Sequence, residues 1–99
     1  MMYDPGALET ALAKAVGDDP TLVAELRAVF LTSAQSHADA LGRANGTSEW
    51  HRGAMRLHGL AASFGAVELM ALADRAMSST HRDSALLADI IREIEDFSA

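Results

Sequence analysis

The stretch that decides the fold is Trp50 to Ala66, WHRGAMRLHGLAASFGA. At about 100° per residue, Trp50, Ala54, Leu57, Ala61 and Phe64 fall within one narrow arc of a helix, which predicts the face turned to a core. His51, Met55, His58 and Ala62 form a second stripe about a third of a turn away. Arg52, Arg56, Gly59 and Ser63 continue outward from that stripe. A single helix thus offers a core edge and, beside it, a ledge of imidazoles, guanidiniums and small residues. Gly65 stands where this helix should end.

Working outward, turn and cap residues divide the rest into helices. Asp4-Pro5 sets a capping carboxylate before a proline suited to a first helical turn, and Gly17 stops that short helix. Asp19-Pro20 repeats the start signal for a long helix running to about Ala44, with an expected apolar stripe of Leu22, Leu26, Val29, Phe30, Ser33, His37 and Leu41. Asn45-Gly46 ends it, and Thr47 or Ser48 is expected to cap the helix that follows. Beyond Gly65, Val67 to about Ser79 turns Leu69, Leu72, Ala73 and Ala76 inward. A polar break over Ser78 to Asp83 precedes a last helix, Ser84 to Phe97, carrying Leu87, Ile90, Ile91 and Ile94.

Short helices are marginal alone in water, so these stripes must meet one another. Short connections make neighbours antiparallel. The expected architecture is all-α, an antiparallel up-down four-helix bundle with a short additional N-terminal helix, spanning residues 1–99 as one domain.

Composition narrows the function classes. A net charge of -6 argues against a sequence-independent hold on nucleic acid or on an anionic membrane. No apolar run approaches the roughly 20 residues of a membrane span, and MMYDPGALET lacks the pattern of a secretory signal. The absence of cysteine excludes disulfide and thiolate chemistry and fits a cytoplasmic protein. His51 and His58 lie about 10.5 Å apart along the axis, too far to share a metal ion. His37 reads as a boundary residue and His81 as a solvated one; Met55, Met70 and Met77 read as gap fillers, with Met55 equally readable as an apolar contact for a docked partner. No phosphate-binding glycine loop, nucleophile elbow or carboxylate pair appears, so no cofactor, metal site or independent catalytic centre is expected.

The signature helix resembles the central helix of the histidine-containing phosphotransfer (HPt) domains of two-component phosphorelays. Their pattern is histidine, any residue, leucine, lysine and glycine, with a second glycine six positions after the first. Leu57, Gly59, Gly65 and Ala66 fall in it, while Met55 stands at the phosphoacceptor histidine and His58 at the lysine. The lead-in DPGALETALAKAVGDDPTLVAELRAVFLTSAQSHADAL and the acidic final helix are similar to the family as well. The resemblance implies a response-regulator receiver domain or a histidine kinase module as partner, docked on His51, Arg52, Met55, Arg56, Gly59, Ala62 and Ser63.

A thioether sulfur forms no stable phosphoryl adduct, so ordinary phosphotransfer at position 55 is excluded by chemistry. Three readings follow. The first is a degenerate HPt domain that docks its partner without carrying phosphate. The second is a relay protein whose acceptor has moved one turn to His58, against the plain reading of His58 as a polar residue at a bundle edge. The third is a self-associating helical bundle that keeps only the fold.

Overall fold

The computed structural model describes residues 12–17 and 19–98, and every regular element among them is helical. Residues 12–16 belong to α1, followed by α2 (Pro20–Gly42), α3 (Thr47–Phe64), α4 (Val67–Ser78) and α5 (Ser84–Ser98). The Asp4-Pro5 start assigned to α1 lies outside the described residues. Gly17 and Gly65, both expected as helix stops, hold left-handed backbone at φ 74° and 69°. Behind Gly65 the chain closes a Schellman turn, with Ala66 N–H donating to the Ala61 carbonyl and Gly65 N–H to that of Ala62.

The start of α2 follows the sequence closely. The Asp19 carboxylate accepts from the N–H groups of Thr21 (2.9 Å) and Leu22 (3.3 Å), and Pro20 occupies the first turn. The start of α3 does not. Its cap is Gly46, and neither Thr47 nor Ser48 caps with its side chain. Glu49 reaches back instead to accept from Asn45 N–H at 2.8 Å. The Thr47 hydroxyl is turned away, donating to the Thr80 carbonyl at 3.2 Å.

Packing forms a closed cycle: α2 lies against α3 and α5, and α4 lies against α3 and α5. The core within this cycle is built from Phe30, Leu41, Trp50, Leu57, Leu69 and Ile90, with alanines filling the close approaches between helices. Phe30 of α2 meets Phe64 of α3 at 5.1 Å between ring centres and Phe97 of α5 edge-on at 5.2 Å, which ties three helices together.

Two expected stripes need correction. On α2 the inward line runs through Phe30, Ala34, Ala38 and Leu41, while Leu22 and Val29 are 43% and 56% exposed. Those two side chains lie some 80–100° around the helix from Phe30, and the alanines hold the inner arc because they allow helix axes to come close. On α5, Leu86 is buried and Ile91 is 41% exposed, the reverse of the expectation for Ile91. No helix among the described residues is long and apolar enough to cross a membrane.

Candidate docking ledge

Helix α3 sorts its residues as the projection requires. Trp50, Ala54, Leu57 and Ala61 are fully buried, and Phe64 at the last turn is half-buried. Trp50 fixes the rotation of the helix by donating its indole N–H to the Ala76 carbonyl of α4 at 3.0 Å. With that face locked inward, the ledge must look outward. His51, Arg52, Met55, Arg56, Gly59, Ala62 and Ser63 are all exposed, and His58 is half-buried at the inner margin. All the docking residues expected from sequence therefore lie together on one surface.

Met55 is an apolar point on the ledge, and the outer side of the ledge is cationic. Met55 is 52% exposed, high for a long apolar side chain in a helix whose Trp50 and Leu57 are fully buried and whose Leu60 and Phe64 are half-buried. Arg52 precedes it by one turn and Arg56 follows it. Neither guanidinium enters a hydrogen bond or ion pair among the described residues. The single acidic side chain of α3, Glu49, is committed to Asn45 N–H at the helix start. The positive charge of the ledge is therefore not neutralised from within its own helix.

Gly59 is an opening in this surface. A Cβ built there would meet nothing within 4 Å, so the position is free for an approaching partner. The Ser63 hydroxyl donates to the Gly59 carbonyl at 2.9 Å, a bond to its own helix that the sequence reading did not anticipate. This leaves the serine oxygen as an acceptor on the ledge. Among the described residues no group of three or more histidine, cysteine, aspartate or glutamate side chains is arranged to hold a metal ion.

Gly53 also escaped the sequence reading. A Cβ there would come within 3.1 Å of Leu41 Cδ2, so this glycine is where α2 closes on α3. It lies on the flank of the core arc away from the ledge. A glycine in mid-helix next to a core position was the available signal. Arg82 was missed too: from the α4–α5 connection it donates to the Gly42 carbonyl at 2.7 Å, supplying the cation that the last turn of α2 lacks. Comparison with family models, curated proteins and solved structures returns no match to this chain.

Proposed function

We propose that the chain is an HPt-like signalling domain, an antiparallel up-down four-helix bundle with a short additional N-terminal helix. It docks a receiver domain or a histidine kinase module through the α3 ledge without itself carrying phosphate. The closed packing cycle of α2 to α5 and their short connections support the architecture. The observation that carries the function is the ledge: an exposed Met55 bordered on its outer side by Arg52 and Arg56, which have no partner among the described residues, beside an unobstructed Gly59.

Each part suits a partner with a recessed carboxylate-rich site. The guanidiniums complement the acidic rim, and rim charges of this kind chiefly raise the rate of encounter. Gly59 allows the partner backbone to come close. Met55 supplies a flexible apolar contact where the resembled family has a nucleophile. Binding without transfer makes the domain an adaptor, decoy or inhibitor within its relay.

A second reading is favoured by one observation. The His58 imidazole reaches the ledge margin and makes no hydrogen bond among the described residues, so it is available as a nucleophile. In that case the imidazole nitrogen attacks the phosphorus of an aspartyl phosphate, an N–P bond forms, and the aspartate leaves as a carboxylate. Against it stands geometry, since a turn of displacement moves the acceptor about 5–6 Å from residue 55, where reacting atoms must come within about 3–3.5 Å.

The deciding experiment incubates the protein with receiver domains carrying radiolabelled aspartyl phosphate, beside an H58A variant, and measures binding in parallel. Binding with no label on either protein supports the docking module. Label on the wild type that is lost in H58A establishes the shifted acceptor. Failure of every receiver and kinase module to bind rejects both.

A further inference from the structure

Between α4 and α5 runs a cleft of about 410 Å³, walled by Glu68 and Arg75 of α4 and by Asp89, Arg92, Glu93 and Asp96 of α5. Four carboxylates face two guanidiniums there. Arg92 is engaged on the exposed side of its own helix, 3.7 Å from Asp89. From α2, the other helix packed on α5, Arg27 donates to the backbone carbonyl of Phe97 near the C-terminal end of α5.

Glu93 is the side chain this arrangement leaves unsatisfied. It is half-buried, and its Oε2 is shielded from solvent and accepts no hydrogen bond among the described residues. A carboxylate oxygen deprived of water and of a donor is costly as an anion and much less so as an acid. Burial raises its pKa above the ordinary glutamate value, and the nearby charges of Asp96 and Glu68 raise it further. The protonated form has a donor to offer, and the two crowding carboxylates are acceptors.

We infer that the α4–α5 seam holds a proton-binding site: one proton taken from solvent by Glu93 neutralises the carboxylate whose Oε2 is shielded and unpartnered in the cleft it shares with Glu68 and Asp96, and so stabilises the packing of α5 on α4. Mild acid then stabilises this side of the molecule. The sign follows from linkage. A carboxyl whose folded pKa is raised binds more protons folded than unfolded between the two values, so its contribution to stability falls as pH rises through that window. The full penalty is present at neutral pH, and none remains below the unfolded value. The inference is independent of the ledge, because it concerns α4 and α5 and not the exposed face of α3.

The test pairs a ¹³C NMR titration of the Glu93 carboxyl with thermal unfolding from about pH 8 to about pH 4, a range that passes through the ordinary glutamate value. E93Q mimics the protonated state, E68Q removes one crowding charge, and E25Q on the exposed side of α2 controls for net charge. The expected result is a Glu93 midpoint above the ordinary glutamate value. E93Q should melt a few degrees higher than wild type at neutral pH, with the two converging in acid. E68Q should show a smaller shift in the same direction and E25Q none. A Glu93 midpoint at or below the ordinary value, or wild-type and E93Q curves that run parallel across the range, overturns the inference.

Discussion

Trp50 donates its indole N–H to the Ala76 carbonyl across 3.0 Å, from a side chain with no solvent exposure. The same carbonyl accepts from Ser79 N–H at 3.2 Å where α4 ends. The bond joins the first turns of α3 to the last turn of α4 and sets which face of α3 is presented outward. W50F keeps a ring in the core but removes this donor and leaves a void. Its expected cost is about 2 kcal/mol of unfolding free energy, read by chemical denaturation followed by circular dichroism. Loss of partner binding beyond what unfolding explains would show that the ledge depends on this anchor.

The start of α2 and the end of α3 were legible because capping chemistry is local. Asp19-Pro20 and Gly65 act within three or four residues of themselves, so sequence alone places them. The rotation of α2 was not legible. Alanine is a poor marker of burial, yet Ala34 and Ala38 hold the inner face while the larger Leu22 and Val29 face solvent. The ledge could be read because Trp50 and Leu57 mark the opposite arc without ambiguity. What sequence could not supply was contact between distant segments, such as Arg82 on the Gly42 carbonyl or Gly53 against Leu41.

Two glycines of α3 give opposite expectations for one substitution. G59A adds a methyl group into open space, so the helix gains about 0.5–1 kcal/mol from improved propensity. G53A gains the same propensity but drives its Cβ to 3.1 Å from Leu41, a fully buried side chain with little room to yield. Thermal unfolding should rank G59A above wild type and G53A below G59A. If Gly59 serves close approach, G59A should at the same time weaken partner binding, separating stability from docking in a single variant.

Charge reversal isolates the ledge from the core. Arg52 and Arg56 are exposed, and the R52E/R56E double variant should change folding stability by less than about 1 kcal/mol. Partner affinity should fall at least tenfold, chiefly through slower association, with a gap that narrows at high salt. Surface plasmon resonance at two ionic strengths measures both effects. Unchanged association rates would mean that the arginines are a solvated surface and no more.

The strongest expectation concerns Met55 itself. M55H places an imidazole on the same 52% exposed position, between Arg52 and Arg56 and one turn from the opening at Gly59. If a receiver docks here, its aspartyl phosphate meets a nitrogen nucleophile within reach, with two cations to stabilise the transferring group. The variant should acquire acid-labile, base-stable label that the wild type does not. Transfer should be slow, because His58 stands where the resembled family has a lysine. M55H/H58K is then expected to transfer faster than M55H alone. Met55 is exposed and His58 stands half-buried at the margin of the core, so the unfolding curve of M55H should stay close to wild type, and that of M55H/H58K shows whether the lysine is accommodated. A variant that folds and binds the phosphorylated receiver, yet takes no label, would mean that the receiver is held in a pose other than the one that delivers phosphate to residue 55.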